Sequence, residues 1–222
     1  MRSFHLAPLP CLILLTAHGV ACAGESYVGV GLPGLVVGYA QTVNAQLGLR
    51  ADVGTTGTFN QNGKESGIDY KGKAKYGRLA LLADYHPFSG GFRLTGGVTF
   101  NDATLKLKSQ FDGTTTLNIN GQTITPDASD YINAKIAFPK VTPYLGLGWG
   151  HQERPAGLGF VADAGVSIGR AKLTTDTNII GKSYGGYTVT QNDVDVKTQE
   201  LRDNVGKVKL LPHVALGLSY RY

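Results

Sequence analysis

The sequence predicts an all-β chain closed into an antiparallel up-and-down barrel of eight strands. Three observations predict it: strict two-residue alternation, a second strand face of small residues rather than charges, and connections that alternate between short and long. The chain has 222 residues, of which 31 are glycine, 42% are hydrophobic and 17% are charged, the size of one domain. Its 21 Lys plus Arg exceed its 16 Asp plus Glu, but without any run of four basic residues, so a nucleic-acid groove is not expected. Beyond the N-terminus the longest wholly apolar stretch is Leu79 to Ala83, far too short for a membrane-spanning helix.

Residues 1–23 read as an export address. Arg2 supplies a positive start, Leu9 to Ala17 an apolar centre, and Ala21-Cys22-Ala23 a small-residue cleavage pattern ahead of Gly24. A buried N-terminal helix is disfavoured because Pro8 and Pro10 interrupt its start. Cleavage removes both cysteines, Cys11 and Cys22, so residues 24–222 enter an oxidising compartment without a thiol. A lipid-attachment role for Cys22 is the alternative, weakened by Gly19 where such signals usually carry Leu.

Six segments then alternate: Ala45 to Val53, Gly77 to Tyr85, Phe92 to Phe100, Val141 to Trp149, Phe160 to Ile168 and Val214 to Tyr222. In each, one parity is apolar or glycine, apart from Pro143 in the fourth, and the other is mostly Gly, Ala, Thr and Ser with occasional Arg and Asp. A soluble sandwich carries many charges on its outer face. Small residues suit the tight interior of a barrel whose apolar face meets lipid, and nine tilted residues suffice to cross a bilayer.

The connections Gln41 to Asn44, His86 to Gly91 and Gly150 to Gly157 are short, whereas Thr55 to Ser66, Ser109 to Asp130 and Thr174 to Asn204 are long and polar. Membrane barrels have short periplasmic turns and long external loops. Tyr39, Tyr85, Phe92, Trp149, Phe160 and Tyr222 all fall beside a short turn or at the chain's end, an arrangement expected of one aromatic girdle. Tyr27 to Leu32 and Leu35 to Ala40, broken by Pro33-Gly34, complete the count as a short first hairpin. Within the long loops, Asn120-Gly121 predicts a hairpin over Thr115 to Thr125. Leu201, Val205 and Val208 are spaced for a short helix over Thr198 to Val208.

The stretch Val214-Ala215-Leu216-Gly217-Leu218-Ser219-Tyr220-Arg221-Tyr222 resembles the C-terminal signature of Gram-negative outer-membrane proteins. Tyr27-Val28-Gly29-Val30-Gly31, Leu47-Gly48-Leu49-Arg50 and Tyr144 to Gly150 are similar to small OmpA-, OmpX- and OmpW-type barrels. The resemblance implies outer-membrane localisation and insertion by the barrel-assembly machinery acting on the C-terminal strand; it says little of activity. Unlike full-length OmpA, no C-terminal peptidoglycan-binding domain is expected, since the sequence ends with the last strand.

Barrels of this kind include lipid A-modifying enzymes and omptin-type proteases, which pair His with Ser or Asp near the outer surface. Here His86 and His151 fall in short turns, and His213 begins the last strand without a recognisable partner. Asp193 and Asp195 read as solvated loop acids, and no catalytic residue, metal site or cofactor is expected.

Arg50, Asp52, Arg78, Asp84, Arg93, Asp163 and Arg221 share the inward parity. In a lumen barely wide enough for side chains they are expected to pair and plug it, with a small porin-like, ion-selective channel as the alternative. Lys71, Lys73, Lys75, Lys106 and Lys108 continue the outward parity beyond the membrane. If Tyr85 faces Phe92, Lys71 falls opposite Lys106. Opposed like charges destabilise a sheet unless anions intervene, so contact with lipopolysaccharide phosphates is expected, against the simpler reading of solvated lysines. The expectation is a monomeric, non-enzymatic barrel in contact with outer-membrane lipids and lipopolysaccharide. A secreted barrel with an inward apolar face is the soluble alternative.

Overall fold

Residues 24–32, 34–65 and 68–222 are described by a computed structural model. The expected signal segment 1–23, with both cysteines, lies outside the described residues, as do Pro33, Ser66 and Gly67. The alternating segments form strands, apart from Ala45-Gln46 and Tyr222 at their ends. In chain order the first five are β1 (Gly24–Leu32), β2 (Gly34–Asn44), β3 (Leu47–Glu65), β4 (Ile68–Tyr85) and β5 (Phe92–Asn101). There follow β6 (Thr104–Gln110), β7 (Leu117–Ile119), β8 (Gln122–Ile124), β9 (Ile132–Ala137), β10 (Val141–Trp149) and β11 (Gly157–Ile168). The remainder are β12 (Lys172–Thr177), β13 (Ser183–Tyr184), β14 (Tyr187–Thr188), α1 (Gln191–Val205) and β15 (Leu210–Arg221).

Antiparallel pairing runs from β1 through β2, β3, β4, β5, β10, β11 and β15, and β15 pairs back to β1. The ring is therefore closed and has no free edge, which removes the aggregation hazard of an open sheet. Leu81, Leu145 and Leu216 on its outer face are 52–58% exposed, while Arg93, Asp84 and Glu25 on its inner face are at most 1% exposed. This inverted distribution rules against the inward apolar face of a secreted barrel.

Two expectations about the strands need correction. The first hairpin is not short: β1 and β2 have 9 and 11 residues. The turn after β2 is tighter than expected and lies at Ala45-Gln46. There the Asn44 side chain accepts from the backbone N–H groups of Gln46 and Leu47, both at 2.9 Å, an Asx turn that reverses the chain.

The larger correction concerns the long loops. The sheet has 11 strands rather than eight because β6, β9 and β12 extend it above the ring. Strand β4 divides its pairing: Arg78 to Tyr85 pair with β5, and Asp69 to Lys75 pair with β6. Strand β6 then pairs with β9, and β9 with β12. The stretch expected as a loop from Thr55 is instead the upper half of β3, hydrogen-bonded to β4 up to Glu65. A bulge between Thr55 and Gly57 inserts one residue there, with Gly57 at φ +71°. One extra residue exchanges the two faces of a strand. Below the bulge Val53 faces outward, and above it Thr58, Asn60 and Asn62 lie opposite Lys75, Lys73 and Lys71.

The inner face of this extension is covered by the β7–β8 hairpin and α1. The hairpin forms where Asn120-Gly121 predicts it, both residues having positive φ. The helix begins seven residues earlier than its apolar spacing suggests, because Thr190 and Asp193 form a capping box. Thr190 Oγ accepts from the Asp193 N–H at 3.3 Å, and the Asp193 carboxylate accepts from the Thr190 N–H at 2.9 Å. Asp193 is thus a helix cap rather than a solvated loop acid. Hydrogen bonds from Tyr187, Thr190 and Asn120 hold its carboxyl well below the usual carboxylate range. Replacing Thr190 by Ala should cost α1 about 1 kcal/mol and speed its amide exchange. The heat-dependent gel shift of the ring should not move; a shift would mean that cap and ring unfold together.

Candidate functional site

Every strand that faces the lumen with a charge does so by parity, and the register brings most of those charges to one level. Arg50 of β3 is the hub. Its Nε lies 2.7 Å from Asp84 Oδ2 of β4, and its Nη1 and Nη2 donate to the two oxygens of Asp163 of β11 at 3.1 and 3.0 Å. Arg93 of β5 bridges the same two carboxylates, at 3.1 Å to Asp84 and 2.9 Å to Asp163. Thr95 donates to Asp84 at 2.6 Å. Arg78 pairs with Asp52 at 2.8 Å, and the Tyr27 hydroxyl donates to the other Asp52 oxygen at 3.0 Å. Tyr27 also accepts from Arg50 at 3.4 Å, which joins the two halves. Three guanidinium groups thus meet three carboxylates, all buried, so the charge balances within the cluster.

Arg221 does not belong to that cluster. It lies lower, 3.3 Å from Glu25, and donates to Thr42 and to the Gln152 carbonyl at 2.7 and 2.9 Å. Glu25 also meets His151 Nδ1 at 3.0 Å and Arg154 at 3.5 Å. Sequence reading missed Glu25, Tyr27, Thr95, His151 and Arg154 as members of these networks. Parity was the available signal for the first two, since Glu25 and Tyr27 alternate with the outward Val28 and Val30. Above the central cluster, Arg78 stacks over the Tyr144 ring at 5.3 Å, and the His213 ring stands 6.2 Å from the same tyrosine. Higher still, Thr99 bonds the hydroxyls of Thr142 and Ser167 at 2.9 and 2.7 Å, and Asn101 donates to Thr142 at 2.8 Å. His86 is buried in its turn with Nε2 3.3 Å from the Gly150 carbonyl oxygen.

The lysines occupy the outer face of the extension. Their register differs from the expected one by two residues: Tyr85 pairs with Leu94, so Lys71 lies opposite Lys108 and Lys73 opposite Lys106. Phe92 lies past the end of β4, whose last residue Tyr85 pairs with Leu94, and on its other side it pairs with Trp149 of β10. Lys106 in turn lies opposite Lys135 of β9, a strand not recognised from the sequence. Lys73, Lys106 and Lys135 therefore stand in one row across three strands. Lys75 is paired with Asp102, while Lys71, Lys73, Lys106, Lys108 and Lys135 have no carboxylate within 4 Å among the described residues. The aromatic residues Tyr39, Tyr85, Trp149, Phe160 and Tyr222 are exposed on the ring near its short-turn end, and Phe92 is half-buried.

A closed antiparallel ring that is apolar outside and charged inside is a β-barrel built like those of outer membranes. The comparisons agree at the level of fold. CarO2 of Acinetobacter baumannii superposes with a TM-score of 0.60 at 16% identity, covering 92% of this chain and 100% of that one. CarO of the same organism gives 0.54 at 18% identity, covering 91% and 98%. No protein-family model matches the chain, and no curated protein matches it in sequence.

Proposed function

We propose that the chain is an integral protein of the Gram-negative outer membrane, with the eight strands of the ring crossing the bilayer and the extension standing outside. In this reading the aromatic residues sit at the periplasmic interface and the Arg/Asp cluster closes the lumen, so the role is structural or surface-interactional, without catalysis. Export would remove residues 1–23, and the terminal strand would present itself to the barrel-assembly machinery. A closed lumen predicts no steady conductance in planar bilayers at neutral pH; stable single-channel openings would favour a channel instead.

The surface role rests on the rows of opposed lysines. Like charges directly across a sheet are destabilising, and three such pairs in adjacent strands call for an anionic partner between them. The rows begin six residues above the outward apolar Leu79, at Lys73, roughly 20 Å along the strand. Lipopolysaccharide places phosphates at and above that level, and ammonium groups bind phosphate as point charges. Replacing Lys71, Lys73, Lys106, Lys108 and Lys135 by Gln should weaken binding of purified lipopolysaccharide by about tenfold or more at low salt and flatten its salt dependence. Unchanged affinity would leave the lysines as a solvated face.

A further inference from the structure

We infer that the external cap contains a binding site for a single-chain anionic amphiphile, an apolar body carrying one carboxylate or phosphate. The inference is independent of the lysine rows, which occupy the opposite face of the same sheet.

The apolar half lies between the inner face of the extension and α1. Alternation turns Leu107 of β6, Ile136 of β9 and Leu173 of β12 inward, away from the lysines. The helix answers with a stripe at Val194, Leu201 and Val205, the spacing of one helical face. Its first half is seated: Val194 packs on a core of Ile119, Ile124, Ile179, Tyr184 and Val189, and Thr198 meets Thr175 at 3.2 Å. Its second half stands off the sheet, and Leu201 remains 44% exposed although it points at apolar neighbours. The space left between them is a cavity of about 530 Å³, within the size range of small-molecule sites.

The charged half adjoins it. A second cleft of about 660 Å³ shares the Leu173 wall and is lined by Arg170, Lys172, Arg202, Lys207 and Lys209, with Asp203 the only acid. The cleft is positioned at the foot of the cap, where the Gly169 N–H donates to the Lys209 carbonyl at 2.8 Å directly above the paired Ile168 and Leu210. An apolar slot beside a cluster of five cations matches a molecule that is apolar at one end and anionic at the other.

The test uses the mature protein in nanodiscs of zwitterionic phospholipid, with empty nanodiscs as background and a pyrene-labelled dodecanoate as probe. Saturable binding of one probe per chain is expected, displaced by unlabelled palmitate. Leu201→Arg, in the slot wall at a position already 44% exposed, should reduce affinity about tenfold while leaving the heat-dependent gel shift and α1 amide exchange unchanged. The triple change Arg170→Gln, Lys207→Gln, Lys209→Gln should weaken the carboxylate but not the matching pyrene-labelled alcohol. Non-saturable uptake equal to empty nanodiscs, or binding insensitive to Leu201→Arg in a folded cap, overturns the site. Equal affinity for carboxylate and alcohol overturns the anionic end.

Discussion

Removing the carboxylate of Asp84 should destabilise the barrel by about 3–5 kcal/mol, the cost of leaving two buried guanidinium groups with one carboxylate between them. Asp84 receives Arg50, Arg93 and the Thr95 hydroxyl, and without it both arginines share Asp163 as their one paired carboxylate, beside the neutral Tyr27, Thr95 and Ala162 acceptors. The lumen at that level is lined by side chains from β3, β4, β5 and β11, so the lost contact cannot be replaced by a small shift of one strand. The Asp84→Ala variant should unfold from lipid vesicles at lower urea and lose its heat-dependent gel shift at lower temperature. A variant within about 1 kcal/mol of the parent would mean that water replaces the carboxylate, and that the cluster is not a plug.

A second large effect is expected from a single methyl group at Gly38. The register places Tyr27, Gly38 and Asp52 side by side on β1, β2 and β3. To reach the Asp52 carboxylate, the Tyr27 ring crosses directly over Gly38. A Cβ there would lie 2.3 Å from Tyr27 Cζ and 2.5 Å from its hydroxyl oxygen. Gly38→Ala must therefore move the buried ring, breaking its bonds to Asp52 and Arg50. A loss of about 2–4 kcal/mol is expected from overpacking together with a broken charge-assisted hydrogen bond. The same change in a Tyr27→Ala background should cost little, because the obstructed ring is gone; a double-mutant cycle reads the difference. Equal costs in both backgrounds would assign the effect to the backbone instead.

Much of the ring is legible in the sequence. Parity alone placed Arg50, Asp52, Arg78, Asp84, Arg93 and Asp163 on the inner face, because side chains on a strand alternate without exception unless a bulge intervenes. The extension was not legible in the same way. Ile132 to Ala137 and Lys172 to Thr177 are each only 6 residues long, too short for alternation to stand out from a polar loop. The helix start was carried by Thr190 and Asp193 rather than by the apolar spacing that drew attention further along. Lys135 was overlooked for the same reason as its strand.

The amino-acid order by itself determined which side of each strand is apolar, where the chain turns, and that the charged residues of the wall face inward rather than outward. Those are local properties, set by the two-residue pleat and by turn chemistry at Asn44 and Asn120-Gly121. Tertiary structure decided the partners. The register set Arg50 against Asp84 and Asp163, sent Arg221 to Glu25, and aligned Lys73 with Lys106 and Lys135. It also stood the second half of α1 away from the sheet. Alternation repeats every two residues, so a strand moved by two keeps its faces and changes all its neighbours; only pairing across the whole ring and its extension selects one register among them.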